Sequence, residues 1–455
     1  MSENSSKLIL AGGILGLVFL IIFGLFLSDV ELEYSEPTEV EPVAEVEPVA
    51  EVAAIIYDDD YIVEKFATGL QYPTTMTFVG DDILVLEKNT GNVIRIQDNG
   101  IIYNEPALDV PVIFSGESGL LGIAFASNHI YLYFTEFLSG FDKYSIENAR
   151  NVVYRYDWDG EKLTNPILIK ELPALDYNHT GGVITKGQNN EVYFVIGDQK
   201  QRTTFQNIPV DVTYETGSIF KIDTESSNSV ELFAMGIRNS FGLSVDPETG
   251  YLWDTENSAH HYDEINLVKS GFNSGWMHVM GPVDRDNPDI NGIQTVPPPF
   301  ENFIYSDPEF SFERPVAVTA IEFPDGDSFE KYSDWLFVGD YNNGRIYKFQ
   351  LNSERTGFIF SNPELSDLVL DDNDKIDEIL FAEGFQTISD IEFHDDAMYV
   401  VSIFDGSIYK IYEPTVEEAN KIVQEMILTL ILVVIVIVVT VGVMIYVIRR
   451  KRISS

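Results

Sequence analysis

The sequence contains no cysteine among its 455 residues. Disulfide bonds, thiolate catalysis, cysteine-ligated zinc or iron and lipid attachment to cysteine are therefore excluded. Basic residues are also scarce, with 28 Lys and Arg against 73 Asp and Glu, so the formal net charge is -45. Because this charge repels phosphates over the whole surface, we expect no nucleic-acid partner.

A short apolar strand followed by a turn and further strands recurs six times along the chain. The six units open with TTMTF, LLGIAF, GGVIT, FGLSV, VTAIEF and ISDIEF. Self-similarity at a few tens of residues, with β-branched and aromatic alternation between Gly, Asp and Asn turns, is typical of radially repeated sheets. The sequence therefore predicts an all-β fold, a six-bladed β-propeller over residues 58–413.

The ends of this region are expected to close the ring. The strand Tyr61 to Phe66 has no following partners in its own unit, and the last unit, Ile388 to Tyr412, lacks a fourth strand. Pairing between them would remove exposed sheet edges. A propeller gathers the starts of its innermost strands, and the loops between its second and third strands, at one mouth of a central channel. Residues far apart in sequence thereby form one site.

Two apolar runs flank the predicted propeller. Leu8 to Leu27 and Met426 to Ile448 are both long enough, at ~1.5 Å per residue, to cross a ~30 Å hydrocarbon layer. We therefore expect two transmembrane helices. Arg449 to Arg452 follow the second run, and positive residues stay cytoplasmic, which puts the propeller outside the cell. Both termini are cytoplasmic if the first segment is not cleaved as a signal peptide.

The domain boundaries follow from these runs. Residues 1–28 form the membrane anchor or signal segment, and residues 29–57, rich in Pro and Glu, form an extended acidic stalk. Residues 414–448 comprise a juxtamembrane segment and the second helix, and residues 449–455 form a basic tail.

Several polar residues stand next to the innermost strands or after the second strands, where they should face the mouth. These are Glu117, His179, Asp198, Arg238, Asn239, Arg314, Asn342, Thr387 and Ser389. An imidazole titrates near neutrality without tuning, so His179 is a candidate general base, or else a histidine bonded to a neighbouring blade. Asp198 would orient that ring or form a turn. Arg238 would stabilise an oxyanion or clamp a carboxylate, or else join two blades by a salt bridge.

The motifs GESGLLGIAF, NHTGGVITKG with VIGDQ, GIRNSFGLSVDPETGYLWDTEN and DEINLVKSGFNSGW together resemble the glucose/sorbosone dehydrogenase family. Many members are extracytoplasmic six-bladed propellers that oxidise aldose sugars with pyrroloquinoline quinone (PQQ) and calcium. The resemblance covers roughly Tyr61 to Tyr412. It implies that His179 is the general base, with Asp198 as the carboxylate of the GD turn. It also implies that Arg238 and Asn239 contact the quinone and assist hydride transfer.

The resemblance further assigns Glu117 to the family's GEGGLLG motif and the cofactor-binding cations to three other positions. Here those positions are Asn342, Thr387 and Ser389, none of which is charged. Each charge-assisted hydrogen bond contributes ~1.5 to 3 kcal/mol, so the usual tight binding of the PQQ carboxylates is not expected. Arg314 is expected to compensate for part of this loss. The backbone carbonyls of Ser258 and Ala259 match the family's calcium loop.

The leading hypothesis is a membrane-anchored extracellular dehydrogenase that oxidises an aldose hydroxyl, from a sugar or glycan, with a PQQ-type acceptor. The alternative is a propeller without cofactor that binds glycans or proteins at the cell surface. A third class is a metal-dependent lactonase-like propeller, in which Glu117, Asn239 and nearby carboxylates hold one cation in the channel.

Overall fold

The computed structural model describes residues 54–138, 145–199, 215–225, 228–286 and 302–453. The first strands are β1 (Ile55–Ile56), β2 (Ile62–Thr68), β3 (Pro73–Val79), β4 (Asp82–Glu87), β5 (Asn92–Ile96), β6 (Leu108–Asp109), β7 (Leu120–Ala126), β8 (His129–Phe137), β9 (Ala149–Trp158) and β10 (Leu163–Pro173). The next are β11 (Ile184–Lys186), β12 (Val192–Ile196), β13 (Ser218–Asp223), β14 (Ser229–Met235), β15 (Ser240–Val245), β16 (Leu252–Glu256), β17 (Asp263–Val268) and β18 (Phe272–Asn273).

The chain continues through a short helix, α1 (Val283–Asp286), and a second long series of strands. These strands are β19 (Ile304–Tyr305), β20 (Phe310–Phe312), β21 (Val318–Glu322), β22 (Trp335–Asp340), β23 (Arg345–Gln350), β24 (Val369–Leu370), β25 (Leu380–Glu383), β26 (Ile388–His394), β27 (Ala397–Ser402) and β28 (Ser407–Tyr412). The last described element is helix α2 (Val416–Ile453).

The described strands form six sheets in an all-β, propeller-like arrangement. From the inside outwards, sheet I is β3-β4-β5-β6, sheet II is β7-β8-β9-β10, sheet III is β11-β12-β13-β14-β18-β19, sheet IV is β15-β16-β17-β20-β24, sheet V is β21-β22-β23-β25-β1 and sheet VI is β26-β27-β28-β2. Each opening strand found in the sequence lies in a different sheet.

The innermost strands contact one another in a closed cycle, from β3 through β7, β11, β15, β21 and β26 back to β3. Side-chain hydroxyls reinforce several of these contacts. Thr74 Oγ1 donates to the Leu120 carbonyl at 3.0 Å, and Thr319 Oγ1 donates to the Ile388 carbonyl at 2.7 Å. Ser389 Oγ donates to the Pro73 carbonyl at 3.2 Å, which joins the last sheet to the first. The sheets therefore surround a common axis.

The hydrophobic core lies between the faces of neighbouring sheets. Strands such as β12 and β27 are buried at every residue, because both of their faces are covered. Between sheets IV and V, the Phe310 and Phe349 ring centroids are 4.8 Å apart. Between sheets V and VI, Phe337 and Phe393 pack at 5.7 Å. Large aromatic residues thus fill the wedge between sheets that diverge from the axis.

The prediction that the ends of the domain pair is confirmed, since β2 lies beside β28 in sheet VI. The prediction of the acidic stalk needs a correction at its end. Ile55 and Ile56 are strand residues opposite Glu383 and Ala382 of β25, and the Tyr57 amide donates to the Phe381 carbonyl at 2.8 Å. These apolar residues cover the outer edge of sheet V, which the Pro- and Glu-rich repeat before them lacks the side chains to do.

The chain divides into two compact units: one contains Val63–Tyr412, and the other contains Asp58–Ile62 and Glu413–Ser455. Within it, Thr415 caps α2, since its Oγ1 accepts from the Glu418 amide at 3.2 Å and Glu418 Oε2 accepts from the Thr415 amide at 2.8 Å. In the part of the chain that the structure describes, one helix, over Val416–Gly442, is long and apolar enough to cross a membrane. The predicted first membrane segment, Leu8 to Leu27, lies outside the described residues.

A buried ion pair joins sheets IV and V, and its loss should destabilise the propeller. The Arg355 guanidinium donates to Asp246 at 2.7 Å, and these residues are 8% and 0% exposed. We expect Asp246→Asn to lower the free energy of unfolding by about 3 to 5 kcal/mol, because it leaves the buried guanidinium only the exposed Asp334 carboxylate, at 3.3 Å, as a counter-charge. Urea unfolding of the full chain in detergent, followed by tryptophan fluorescence, measures this.

The matched control is Asp367→Asn, which removes one partner of the partly exposed Arg285. There the loss should stay below ~1 kcal/mol, because solvent screens the charges. Equal losses for the two variants would show that the buried pair has no special role.

Candidate active site

A pocket of about 450 Å³ opens at the mouth of the ring. All six sheets contribute to it, either from the start of an innermost strand or from the loop that follows a second strand. Its polar lining includes Thr74, Thr75, Lys88, Glu117, His179, Arg238, Asn239, Asn257, Ser258, Thr319, Tyr341 and Ser389. Small-molecule and cofactor sites commonly have this volume and a few convergent polar groups.

His179 lies at the pocket wall between two partners. Its Nδ1 is 2.6 Å from Asp198 Oδ1, and Trp276 Nε1 donates to the other carboxylate oxygen at 2.7 Å. His179 is 8% exposed and Asp198 is 3% exposed, so the carboxylate is behind the ring rather than in the pocket. His179 also has a φ of 55°, a left-handed conformation that non-glycine residues adopt uncommonly and often at functional sites.

The partners of His179 determine its tautomer. Asp198 accepts, so Nδ1 carries the hydrogen; Arg238 has only donors, so its Nη2, 3.2 Å from Nε2, donates to that nitrogen. The neutral ring therefore has its lone pair at Nε2. A lone pair on a pocket-lining imidazole, backed by a carboxylate, is the arrangement that a general base needs.

Several contacts hold Arg238 on the Nε2 side of the His179 ring. Its Nη1 donates to the Asn257 carbonyl at 2.6 Å, its backbone amide donates to Glu256 Oε1 at 2.6 Å, and its guanidinium is 5.5 Å from the Trp276 ring centroid. Burial lowers the pKa of Arg238 from its ordinary value, while Asp198 and Glu256 act in the opposite direction. Since that ordinary value is far above neutrality, the guanidinium remains a cation.

Gly197 brings the two segments together. A Cβ at this position would be 2.5 Å from the His179 carbonyl oxygen and 2.7 Å from that of Arg238. The Asp198 amide then donates to the same Arg238 carbonyl at 2.8 Å. The GD dipeptide after β12 thus permits close approach at its glycine and supplies the histidine's partner at its aspartate.

Glu117 and Asn239 complete this side of the pocket. Glu117 Oε2 accepts from the His179 amide and, at 3.2 Å, from Asn239 Nδ2. Within the described chain, three buried polar atoms on lining residues lack a hydrogen-bond partner: Arg238 Nε, Asn239 Oδ1 and Ser258 Oγ. Buried polar groups are normally satisfied. These three atoms are therefore available to a polar ligand.

The structure separates the remaining predicted site residues into two groups. Ser389 and Ser258 line the pocket, although the Ser389 hydroxyl is used between sheets I and VI. Thr387 does not line it: the residue is 5% exposed, and its Oγ1 and carbonyl accept from the amides of Phe404 and Ile403. Ala259 is exposed and also lies outside the lining.

Arg314 and Asn342 also lie outside the pocket that contains His179. Both are exposed and line a different pocket, of about 490 Å³, with Asp371 and Asp372. The Asn342 amide donates to the Val316 carbonyl. The residues next to this pair, Ala317 and Tyr341, line the first pocket. Arg314 therefore lies outside the pocket that contains His179 and Arg238, and its expected compensation stays a prediction.

Two lining or supporting residues were missed. Lys88 directly follows β4, the second strand of its sheet, a position that by itself predicts a place at the mouth. Burial lowers its pKa to about 8, with Glu117 acting in the opposite direction. Trp276 stands in the NSGW segment, and its contact with Asp198 spans 78 positions. No local pattern predicts a contact of that range.

Comparison with known proteins places the chain in a family. Residues 70–379 match the Glucose / Sorbosone dehydrogenase family. The chain belongs to this family. Its site motifs all fall within the matched range, including the segments that contain Lys88, His179 and Arg238.

Individual relatives agree with this assignment. Aldose sugar dehydrogenase YliI of Escherichia coli (strain K12) is 24% identical over 64% of this chain and 81% of its own length. Quinoprotein glucose dehydrogenase B of Acinetobacter calcoaceticus is 29% identical over 44% of this chain and 49% of its own length. Among solved structures, the PQQ-bound aldose sugar dehydrogenase of Streptomyces coelicolor has a TM-score of 0.55, at 20% identity, over 79% of this chain and 98% of its own.

The pocket fits a polar quinone cofactor in size and in its open hydrogen-bonding atoms. The unsatisfied Arg238 Nε and Asn239 Oδ1 lie beside the candidate base. Lys88 and Arg238 are the Lys and Arg side chains in the lining. A ligand with several carboxylates would therefore meet only two cations. This is fewer than its number of negative charges.

Metal binding by side chains has less support. In the described ranges, no group of three or more His, Asp or Glu side chains is arranged to hold a metal ion. Glu117 and Asn239, the ligands of the lactonase-like alternative, are instead hydrogen-bonded to each other. Ser258 lines the pocket, and its buried hydroxyl has no hydrogen-bond partner among the described residues.

Three buried carboxyl groups behind Arg238 should make stability depend on pH. Burial raises the pKa of Glu256 to about 8, and burial also raises the pKa values of Asp254 and Glu264. An unfolded glutamate titrates near ~4.3, so the folded state holds extra protons between there and about 8. The free energy of unfolding should fall with rising pH across that window, by up to ~1.4 kcal/mol per pH unit for each such proton.

We expect Glu256→Gln to flatten this profile, measured as urea midpoints at several pH values between 5 and 8. Glu354→Gln, at an exposed position, is the control and should leave the profile unchanged. A Glu256→Gln profile as steep as that of the native chain would mean that Glu256 is ionised in the folded state.

Proposed function

We propose that this protein is a membrane-anchored, extracellular sugar dehydrogenase that oxidises an aldose hydroxyl with a PQQ-type quinone. The observation that carries the proposal is the meeting of His179, backed by Asp198, with Arg238 in one pocket. Both the family and the names of the relatives, an aldose sugar dehydrogenase and a quinoprotein glucose dehydrogenase, support this class of reaction.

The chain's own residues would act in three ways. His179 Nε2 takes the proton of the sugar hydroxyl, and Asp198 holds the ring and stabilises the imidazolium that forms. Arg238 donates to the oxygen on which negative charge develops. Trp276 keeps Asp198 in place through its indole N–H. Bound PQQ would supply a two-electron acceptor for the hydride that leaves the sugar carbon.

The residues that would hold the quinone are those with open hydrogen-bonding atoms or charge: Asn239, Arg238, Lys88 and Glu117. Calcium, if it takes part, would be held by backbone carbonyls of the Ser258 to Ala259 loop, since carbonyl oxygens are suitable ligands for a hard cation. Ser389 contributes a hydroxyl to the lining rather than a charge.

The membrane part of the proposal is supported by α2. Its residues Ile431, Leu432, Val436 and Val438 are 49% to 64% exposed, so an apolar surface surrounds the helix. A helix that is apolar all round needs a nonpolar environment. Arg449 to Arg452 follow the apolar stretch, and this favours a cytoplasmic tail and an extracellular propeller.

The test is dye-linked oxidation of aldoses by the full chain in detergent, supplied with PQQ and calcium. We expect turnover, and we expect His179→Asn to lower kcat/KM by about 10²- to 10⁴-fold, the range for loss of a general base. PQQ affinity should change little, because the hydrogen bonds of Asn239 and Lys88 remain. His129→Asn, on the outside of β8 and bonded to the Ser127 carbonyl, is the matched control with full activity expected.

The same assay separates the alternative function. A glycan- or protein-binding module would show no turnover and no PQQ binding, and its ligand binding would be indifferent to His179→Asn. The small number of cations in the pocket is the observation that favours this alternative. Turnover that survives His179→Asn would contradict the assigned base but not the dehydrogenase class.

A further inference from the structure

Lys88 is the group in the pocket whose role the proposed reaction leaves open. It lies at the start of the loop after β4 in sheet I, and it lines the pocket together with Gly116 and Glu117. Its Nζ donates to the Gly116 carbonyl at 2.8 Å and to Asn89 Oδ1 at 3.4 Å. An ammonium has three donors, so at least one remains for a ligand.

The charge of Lys88 is not neutralised by an ion pair. Across the described ranges, salt bridges within 4.0 Å involve other lysines, such as Lys65, Lys170 and Lys221, but not Lys88. Lys88 is half-buried, and a partly buried ammonium with no carboxylate bonded to it is poorly neutralised.

The second cation of the lining is already in use. Arg238 donates to the Asn257 carbonyl and to His179 Nε2, which positions it at the reacting end of the pocket. Lys88 belongs to sheet I, which contacts sheet VI through Ser389 and Pro73. Lys88 therefore adds a second positive charge to the pocket wall, beside Gly116 and Glu117.

We propose that Lys88 is an anchor for a carboxylate group of the pocket ligand. The inference rests on the proposed function, and the carboxylate has two possible sources: the quinone cofactor, or an acidic sugar such as a uronic acid. In both cases the ammonium donates to a carboxylate oxygen in a charge-assisted hydrogen bond.

Deprotonation of Lys88 at high pH provides a test of this proposal on the unmutated protein. Burial lowers its pKa to about 8, so the ammonium is present below that pH and is lost above it. An anionic ligand held by Lys88 should bind more weakly as pH rises from 7 to 9.5. A ligand without carboxylates should not show this loss.

The first arm of the test measures Kd for PQQ and for its trimethyl ester, by calorimetry on the full chain in detergent at pH 7 and 9.5. We expect the acid, but not the ester, to bind more weakly at the higher pH. Lys88→Met, which keeps the length and removes the charge, should weaken binding of the acid by about 10-fold or more. Lys88→Arg should restore most of it.

The control variant is Lys162→Met, because Lys162 also donates to a backbone carbonyl, that of Pro106 at 2.7 Å, but lies outside the pocket lining. It should leave every binding constant unchanged. The second arm measures KM for D-glucuronate and D-glucose. An increase in KM for glucuronate alone in Lys88→Met, with PQQ binding unchanged, would identify the sugar as the source of the carboxylate.

Equal affinities of the native chain and Lys88→Met for PQQ, with an unchanged ratio of the two KM values, would overturn the inference and leave the dehydrogenase proposal intact. Absence of PQQ binding by the native chain would overturn both. If Lys88→Met fails to fold, the comparison of acid with ester on the native chain across pH still decides the first arm.

Discussion

The candidate site depends on the close approach of two backbone segments at Gly197. His179 and Arg238 belong to different sheets, and their carbonyl oxygens are both within contact distance of the space where a Cβ would stand. Any larger residue would push the two segments apart. The hydrogen bond that His179 Nδ1 donates to Asp198 and the one that Arg238 donates to His179 Nε2 could then not both be kept. Closure of the ring makes this approach possible, since it fixes sheets III and IV side by side.

Charge is distributed unevenly around this approach. The chain has a formal charge of -45, yet the pocket wall holds Lys88 and Arg238, and the carboxyl groups packed behind it have raised pKa values. A protonated carboxyl does not cancel the field of the guanidinium beside it. The interior thus retains positive charge at the pocket while the exterior repels polyanions. Small neutral sugars are unaffected by that repulsion, whereas a small anion must enter through it and is held only by the two cations.

The sequence predicts well what depends on short-range patterns. Alternating apolar residues located the innermost strands, and β3, β7, β15, β21 and β26 begin within one residue or so of the predicted starts. The exception is β11, which begins at Ile184 because Gly181 and Gly182 have φ values of 61° and 101° and leave the strand conformation. His179, Asp198, Arg238 and Asn239 were found because each immediately adjoins such a strand or turn.

The sequence gives no signal for features that depend on loop geometry or on distant contacts. Arg314 and Asn342 follow the same positional rule, but their side chains line the second pocket, with Asp371 and Asp372, rather than the first. Thr387 is used by the amides of residues 403 and 404, which no periodicity reveals. Trp276 reaches Asp198 from a loop after β18, and Ile55 joins sheet V directly after the Pro- and Glu-rich repeat. Each of these contacts depends on the position of a segment that is distant in sequence. Composition and spacing carry no information about that position.

The hydrogen bond between Arg238 and His179 also constrains how a substrate can bind. Nη2 of Arg238 donates to the lone pair at His179 Nε2 that the proposed base needs. In the proposed reaction, a sugar hydroxyl would replace this contact before it gives up its proton. Arg238 can release Nη2 without leaving the site, because Nη1 stays on the Asn257 carbonyl and Nε has no partner to lose among the described residues. The released donors then point to the region of the sugar oxygen rather than to the ring. One small movement of the guanidinium thus exposes the base and supplies the charge that stabilises the deprotonated oxygen, which links binding of the hydroxyl to its activation.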